Sequence, residues 1–295
     1  MELIRRVQLM REISREARGR GKKIALVPTM GALHDGHLSL VRRARELADI
    51  VIVSVFVNPA QFGPAEDFER YPRDLAGDTD LCIQEGVEYL FSPAPQGIYP
   101  PGYRTYVEVE GLSEVLEGAS RPGHFRGVAT IVLKLFNICR PHFGLFGQKD
   151  AQQAVIVRRL IRELDLDVEP IVCPTVRTDD GVAMSSRNAQ LSAAERHAAR
   201  VINKALQRAR ELVEDDGVAD AAQVEAGIRT VLDAEPRIRI DYVAIVDEDE
   251  LTPCAEISGK ALVLLAAWLG ETRLIDNLFV EASPPADTAA DGDNT

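Results

Sequence analysis

The chain has 295 residues, 46% of them hydrophobic, so it is long enough for one large domain or two of medium size. Its 34 basic and 46 acidic residues give a net charge of −12, which argues against bulk binding to nucleic acids or anionic membranes. Four widely spaced cysteines, no signal peptide after Met1 and no apolar run long enough to span a bilayer predict a reduced, cytoplasmic protein.

Helices and strands are predicted to alternate over residues 1–175. An amphipathic stripe from Leu3 to Ala17 predicts a first helix, which Gly19 and Gly21 end. Short apolar runs bounded by turn residues predict strands at 24–27, 50–57, 89–91, 142–146 and 168–173, with a possible edge strand at 106–109. Apolar residues at steps of three and four predict further helices at 40–48, 74–85, 128–138 and 154–164. This alternation predicts an α/β fold with a doubly wound parallel sheet.

The segment 176–281 is predicted to form a smaller α+β domain. Ser192-x-x-Glu195 is a capping box that predicts a long helix to about Val213, and Asp220-x-x-Gln223 predicts the start of another helix. The predicted strands of this segment lie near 240–246, 261–267 and 273–279. The acidic tail, 282–295, is predicted to be disordered because of its composition.

The most informative motif is His34-x-Gly36-His37, which lies between the strand at 24–27 and the next helix. A helix N-terminus there offers free main-chain N–H groups and a positive dipole to an anion. Gly36 allows close approach to the backbone, and the two imidazoles share one face of the first turn. The motif predicts a phosphate site. Surface histidines at a turn, or a zinc pair, are the alternatives, although the sequence offers no obvious third zinc ligand.

Four further polar loops carry candidate ligand-binding groups. They are Asn58–Gly63 after a buried strand, Ser120–Gly127 before a helix, Gly147–Asp150 after a strand, and Met184–Asn188. Loops at the carboxyl ends of parallel strands are where open α/β sheets bind ligands. Each loop by itself also fits a simpler interpretation, as a solvated helix start or an ordinary polar loop.

Taken together, five motifs closely resemble those of the pantoate–β-alanine ligase family, which belongs with the nucleotidylyltransferases and class I aminoacyl-tRNA synthetases. In chain order they are His34-x-Gly36-His37, Phe56-Val57-Asn58-Pro59-x-Gln61-Phe62, Arg121-Pro122-Gly123-His124-Phe125, Gly147-Gln148-Lys149-Asp150 and Met184-Ser185-Ser186-Arg187-Asn188. The resemblance runs from about Leu3 to Val280. The last motif resembles the K-M-S-K-S loop of the synthetases, with Ser185-Ser186-Arg187 in place of the terminal K-S.

The resemblance implies both the architecture and the reaction. Residues 1–175 would be a Rossmann-like catalytic domain that binds ATP and pantoate, and 176–281 a lid domain. ATP and pantoate would give pantoyl adenylate and pyrophosphate, and the amine of β-alanine would then displace AMP to give pantothenate. The family also implies Mg²⁺ with ATP, and a homodimer.

The resemblance assigns roles to individual residues. The catalytic residues would be His34, His37, Lys149, Ser185, Ser186 and Arg187. ATP would be bound by Met30, Gly36, His37, Gly147, Gln148, Lys149, Asp150, Val176, Met184, Ser185, Ser186 and Arg187. Pantoate and β-alanine would be bound by Gln61, Gln153, Met30, Phe56, Asn58, Tyr71, Arg121 and His124. Asp78 is the predicted metal ligand, since Gly77 stands where some relatives carry an acid.

Two other functions compete with the ligase. A nucleotidylyltransferase shares H-x-G-H, but it would need more basic residues around the pocket and no glutamine pair. A nucleotide-binding regulatory or tRNA-binding module without chemistry is the second alternative. The acidic composition argues against RNA, and the presence of His34 and His37 together with Lys149 argues against an inactive site.

Overall fold

The computed structural model describes residues 1–63, 68–69 and 71–282. It divides into two compact units, Met1–Arg196 and His197–Thr295, and the division falls later than the expected domain boundary at residue 175. The physical reason is the contacts that follow residue 175. An added Cβ at Gly36 would lie 3.5 Å from the Met184 Cβ, and Tyr71 makes a side-chain hydrogen bond to Ser186, so this segment stays with unit 1. Of the predicted tail, all residues after Ala282 lie outside the described part.

Unit 1 contains a six-stranded parallel sheet of the predicted kind. Its strands are β1 (Glu2–Ile4), β2 (Ile24–Thr29), β3 (Ile50–Val55), β4 (Tyr89–Phe91), β5 (Phe143–Gly147) and β6 (Glu169–Cys173). The order across the sheet is β1-β4-β3-β2-β5-β6. From β2 the chain runs outward through β3 and β4, and then crosses back to β5 on the other side of β2. The strand order therefore reverses between β2 and β5, which is where such sheets bind ligands.

Helices lie between these strands because their apolar stripes pack onto the sheet. They are α1 (Val7–Gly19), α2 (Asp35–Leu47), α3 (Leu75–Gln84), α4 (Pro95–Ile98), α5 (Glu117–Ser120), α6 (His124–Cys139) and α7 (Ala151–Glu163). Single 3₁₀ turns occur at Pro59–Gln61, Gln148–Asp150 and Ser186–Gln190. The strands β2 and β3 form the centre of the core, with Val27 and Val53 fully buried.

Two predictions for unit 1 are wrong. Leu3 belongs to the edge strand β1 and not to the first helix, which begins only at Val7. The segment 106–109 forms no strand: the Val107 N–H donates to Thr130 Oγ1 on α6 (3.0 Å), so a helix side chain satisfies it in place of a strand partner.

Unit 2 is built around a three-stranded antiparallel sheet. Its strands, in spatial order, are β7 (Ile238–Val246), β8 (Lys260–Leu269) and β9 (Thr272–Glu281). The remaining helices of the chain are α8 (Ala193–Ala198), α9 (Arg200–Arg210) and α10 (Ala221–Asp233). The Ser192–Glu195 capping box forms as predicted, with the Ser192 N–H bonded to Glu195 Oε2 (2.8 Å). The single long helix predicted there is interrupted at Ala199 and ends in a π-helical turn at Glu211–Asp215. Among the described helices, none combines the length and hydropathy needed to cross a bilayer.

Candidate active site

A cavity of about 250 Å³ opens in unit 1, where the carboxyl ends of β2 and β5 meet the loops that follow them. It lies at the reversal of strand order. Every site residue predicted from the sequence lines this cavity except Gln148 and Asp78. The five motifs, which are spread over about 150 positions of the chain, therefore converge on one volume.

One end of the cavity, which we call the histidine end, is formed by His34, His37 and Lys149. His34 is the N-cap of α2: its Nδ1 accepts the N–H of Gly36 (3.2 Å), while His37 Nδ1 accepts the N–H of His34 (3.3 Å). This reciprocal pair is a capping box built from two histidines, with ring centroids 4.1 Å apart. Because both Nδ1 atoms are acceptors, each neutral ring carries its proton on Nε2.

Burial keeps both imidazoles neutral. It is the main cause that lowers the pKa of His34 below its usual value, and the positive charge of Lys149 lowers it further. The pKa of His37 falls to about 3, again mainly through burial and then through the neighbouring His34. Near neutral pH the two side chains therefore act as hydrogen-bond donors that need not lose or gain a proton.

Lys149 supplies the positive charge at this end. Its side chain is only 18% exposed, and its Nζ lies 3.8 Å from Asp150 Oδ1. Residues Gln148–Asp150 form a 3₁₀ turn that leads from β5 into α7. The amino end of a second helix therefore also faces the cavity. Two helix N-termini, two neutral imidazoles and an ammonium group form a suitable environment for phosphate charge.

The loop after β6 forms another wall of the cavity. Ser185 Oγ accepts the N–H of Arg187 (3.3 Å), and Asn188 Nδ2 donates to the Ala183 carbonyl (3.0 Å). Tyr71 connects this loop to the segment before α3 through a side-chain hydrogen bond to Ser186. The pKa of Tyr71 is raised mainly by burial, so its hydroxyl remains protonated.

Another part of the cavity, which we call the amide end, is lined by Asn58 and Gln61, on which Gly127 packs. Asn58 is 1% exposed and Gln61 is 8% exposed, so both amides are held inside the protein. Helix α6 packs directly on the turn that carries them, because Gly127 has no side chain: a Cβ there would lie 2.5 Å from the Gln61 nitrogen. This close approach lets the Gly127 carbonyl accept a bond from Asn58 Nδ2 (3.1 Å).

His124 and Arg121 stand beside the amide end at the start of α6. His124 Nδ1 lies 2.9 Å from the Gln61 carbonyl oxygen, and its Nε2 lies 3.1 Å from Arg121 Nη1. Since a carbonyl can only accept, the Nδ1 carries the proton and the Nε2 accepts from the guanidinium. Arg121 is thus held next to the cavity.

An apolar wall that the sequence did not assign to the site also lines the cavity. The predicted helical stripe on α6 packs into the core, and several of its side chains line the cavity as well: Val128, Ile131, Val132 and Leu135. Periodicity could not distinguish these two roles because both require an apolar face. Further lining residues that sequence reasoning missed are Pro28, Thr29, Leu40, Phe62, Leu145, Phe146, Pro174 and Thr175.

Two neighbouring glutamines on α7 have different environments. Gln153 lines the cavity. Gln152 is 3% exposed and fastens the loop before α5, donating to the carbonyls of Leu112 (2.9 Å) and Val115 (2.8 Å) and accepting from the Glu117 N–H (3.0 Å). The sequence pointed to Gln153, and only the fold shows that Gln152 holds the loop before α5.

Asp78 lies on α3, outside the cavity lining. Its Oδ1 accepts the N–H of Leu33 (2.7 Å) and its Oδ2 the N–H of Ala32 (3.1 Å). The carboxylate thereby holds the turn at Gly31, which has a φ of +85° and precedes the histidine motif. In residues 1–63, 68–69 and 71–282, no group of three or more His, Cys, Asp or Glu side chains is arranged to hold a metal ion.

Comparison with known proteins identifies the family. A family model described as pantoate-beta-alanine ligase matches residues 2–279. The chain belongs to this family. The ligase is 52% identical over 283 residues to the pantothenate synthetase of Moorella thermoacetica, which corresponds to 96% of this chain and 100% of that protein. It is 53% identical over 281 residues to the pantothenate synthetase of Heliobacterium modesticaldum, with 95% and 100% covered.

Solved structures agree with this family. The ligase superposes on pantothenate synthetase from Thermus thermophilus with a TM-score of 0.88 and 44% identity, covering 94% of this chain and 99% of that one. It superposes on the pantoate-beta-alanine ligase of Francisella tularensis, a complex with beta-gamma ATP and beta-alanine, with a TM-score of 0.77 and 33% identity over 94% and 97% of the chains. The predicted family, fold class and ATP-dependent ligase activity are therefore confirmed.

Proposed function

We propose that the cavity of unit 1 joins pantoate to β-alanine in two steps at the expense of ATP, through a pantoyl adenylate. One observation carries this proposal. A single volume has donors suited to phosphate at the histidine end, and buried amides beside an apolar wall at the amide end. Pantoate has the matching character, since it combines a carboxylate and hydroxyl groups with a gem-dimethyl carbon.

In the first step a carboxylate oxygen of pantoate attacks the α-phosphorus of ATP, and the bond from that phosphorus to the β-phosphate oxygen breaks. Pyrophosphate leaves with the bonding electron pair, so negative charge grows on the leaving group. His34 and His37 would donate Nε2–H groups to these oxygens, and Lys149 would place its ammonium beside them. Such preorganised donors stabilise the transition state because they require no rearrangement as charge develops.

The rest of the nucleotide would lie against the loops that follow β5 and β6. Ser185, Ser186 and Arg187 would bind the outer phosphates, and Asp150 would accept bonds from the ribose hydroxyls. The main chain near Gly147 and the side chains of Val176 and Met184 would enclose the adenosine. Gln148, which does not line the cavity, would act through its main chain.

In the second step the amine of β-alanine attacks the carbonyl carbon of the adenylate. A C–N bond forms, the bond between that carbon and the phosphate oxygen breaks, AMP leaves and the amine releases a proton. Arg121, held by His124 beside the amide end, would pair with the carboxylate of β-alanine. Asn58 and Tyr71 line the same cavity.

Gln61 and Gln153 would bind the oxygens of pantoate, while Met30 and Phe56 would contact its methyl groups. Buried amides of this kind are selective, because a ligand that lacks the matching oxygen leaves a polar group unpaired.

Magnesium enters this proposal with the nucleotide. The ion ordinarily binds phosphate oxygens and water with only one or two carboxylates. Asp78 does not fit such a site, since its carboxylate bonds two main-chain N–H groups and lies outside the cavity lining. We assign Asp78 to the support of the turn before His34.

The family resemblance further leads us to propose a cytoplasmic homodimer, in which 176–281 includes the lid. Light scattering after size exclusion would test the oligomeric state, with a mass near twice 32.4 kDa as the expected result. A mass near that of one chain would refute it.

The deciding experiment for the reaction is exchange of labelled pyrophosphate into ATP. The ligase requires pantoate for exchange and needs no β-alanine, and addition of β-alanine should then release AMP together with an amide product. The nucleotidylyltransferase alternative predicts a nucleotide that stays on the product. A binding module without chemistry predicts no exchange with any carboxylate while ATP still binds, and that result would overturn the proposal.

A further inference from the structure

A chain of hydrogen bonds runs from the tyrosine that follows α4 to the amide end of the cavity. Tyr99 Oη lies 2.8 Å from Asn58 Oδ1, and Asn58 Nδ2 lies 2.9 Å from Gln61 Oε1. Gln61 Nε2 in turn lies 3.3 Å from the sulfur of Met30 at the cavity wall. None of the sequence motifs includes Tyr99, and it does not line the cavity.

Two main-chain groups fix which atom donates and which accepts in this chain of hydrogen bonds. The carbonyl of Gly127 can only accept, and it lies 3.1 Å from Asn58 Nδ2. The N–H of Ala60 can only donate, and it lies 3.3 Å from Asn58 Oδ1. The amide of Asn58 therefore has one allowed orientation, with its NH₂ toward Gly127 and Gln61 and its oxygen toward Ala60 and Tyr99.

The orientation of Gln61 follows from that of Asn58. Since Asn58 donates, the atom of Gln61 that faces it must be the oxygen, so the Nε2 of Gln61 faces the cavity. In the structure this NH₂ donates to the thioether of Met30, and a thioether is a weak acceptor. A ligand oxygen is a better acceptor and would replace it.

Tyr99 completes the arrangement as a donor. Because Asn58 Oδ1 can only accept, the phenol must give its proton to it. Burial raises the pKa of Tyr99 above its ordinary value, so the hydroxyl keeps that proton. The ring is held independently, by a tilted contact with Phe56 (6.2 Å between centroids) and an edge contact with Tyr103 (4.9 Å).

We propose that Tyr99 is a positioning residue for pantoate: through Asn58 it holds Gln61 with an N–H donor directed at a pantoate oxygen. This inference rests on the proposed function and deepens it, because it specifies the polarity of the subsite. The group of the substrate that meets Gln61 must be an acceptor, a carboxylate or hydroxyl oxygen. A donor there would meet a second donor.

The test is Tyr99→Phe, which keeps the ring and removes only the hydroxyl. We expect the KM for pantoate in pyrophosphate exchange to rise about fivefold, the typical effect of one neutral hydrogen bond, while the KM for ATP and the melting temperature stay unchanged. The matched control is Tyr103→Phe, the same chemical change in the adjacent ring, which should leave both KM values as they are. An unchanged KM for pantoate in Tyr99→Phe would overturn the proposal, and so would an equal rise for ATP.

A second variant is designed to reverse the donor and acceptor directions along this chain of hydrogen bonds. Asn58→Asp removes both donors, so Gln61 should turn its NH₂ toward the new carboxylate and present oxygen to the cavity. We expect the KM for pantoate to rise at least about tenfold, more than in Tyr99→Phe. The reason is that two acceptors, the Gln61 amide oxygen and the pantoate oxygen, then face each other. A KM close to that of the unaltered protein would contradict the proposed polarity.

These outcomes separate the inference from the proposed function. If the unaltered protein shows no pantoate-dependent exchange, the proposed function fails. If the unaltered protein exchanges and both variants bind pantoate normally, only the positioning role fails.

Discussion

The histidine end and the amide end of the cavity hold their polar groups by opposite means. At the histidine end, His34 and His37 accept main-chain N–H groups of their own turn, and charge from Lys149 adds to the field. At the amide end, Asn58 and Gln61 are enclosed by a network that brings together parts of the chain nearly 70 residues apart. The first arrangement is local and electrostatic, while the second depends on tertiary packing.

This difference predicts how each end responds to substitution. Charge at a developing anion contributes mainly to the transition state, so a loss at the histidine end should lower kcat. A fixed amide contributes to recognition of the ground state, so a disturbance of the amide end should mainly raise the KM for pantoate. The following experiments test this contrast, from the largest expected effect to the smallest.

Lys149→Ala should have the largest effect. We expect the rate of pyrophosphate exchange at saturating pantoate to fall about 100- to 1,000-fold, because the ammonium neutralises charge that grows in the transition state. The fold should be preserved, since the ion pair of Lys149 Nζ with the adjacent Asp150 is a loose one at 3.8 Å. Lys22→Ala, which removes a surface ammonium paired with Asp49, is the control. Exchange within twofold of the unaltered rate would remove Lys149 from the catalytic set.

Gly127→Ala disturbs the amide end through shape alone. An added Cβ would overlap the main chain of Ala60 and Gln61, which cannot move as a flexible side chain can. We expect a loss of about 1–3 kcal/mol of stability, as in other overpacked sites, together with a raised KM for pantoate and an unchanged KM for ATP. Denaturant unfolding would measure the loss of stability, and pyrophosphate-exchange kinetics would measure the two KM values.

The control for that experiment is Gly19→Ala at the end of α1, where an added Cβ meets nothing within 4 Å. It should leave stability and both KM values nearly unchanged. If Gly127→Ala behaves like Gly19→Ala, the close approach of α6 does not hold the amide end in place.

His37→Asn tests the neutral state of the histidine end. Burial lowers the pKa of His37 from its ordinary value of 6.5 to about 3 in the folded protein, so below about pH 6.5 the unfolded chain binds a proton that the folded one does not. Stability should therefore fall as the pH drops from about 6.5 toward 3, by at most about 1.4 kcal/mol per pH unit from this residue. The variant should lose stability less steeply on acidification.

Urea unfolding at a series of pH values would measure that slope. His197→Asn, at an exposed position in α8, is the control and should keep the slope of the unaltered protein. Parallel slopes for His37→Asn and the unaltered protein would show that His37 is not held neutral by burial.

Tyr71→Phe should have the smallest effect. It removes the hydrogen bond to Ser186 and so loosens the loop that would bind the outer phosphates. We expect the KM for ATP to rise about threefold with the KM for pantoate unchanged, the reverse of the pattern for Tyr99→Phe. A rise confined to pantoate would place Tyr71 with the amide end instead.

Much of the fold followed from local pattern. The apolar, β-branched runs at 24–27 and 50–57 became β2 and β3 because such segments are stable when both faces are covered. Errors arose where a neighbour decided the outcome. Leu3 was predicted to belong to the first helix, but it lies in β1, which pairs with β4. The predicted strand at 106–109 bonds to a helix side chain instead of a strand. Neither partner is adjacent in the sequence.

The sequence by itself determined the two imidazoles of the histidine end, because a strand, a turn and a helix start within fifteen residues specify His34, Gly36 and His37 by local bonding. It also determined which loops carry polar groups. Only the tertiary structure decided which of those groups meet, how the amide of Gln61 is turned, and that Tyr99 contributes from outside every motif. The reason is physical: a capping box is formed by neighbours in the chain, whereas the direction of a buried amide is set by acceptors and donors that folding brings from far away.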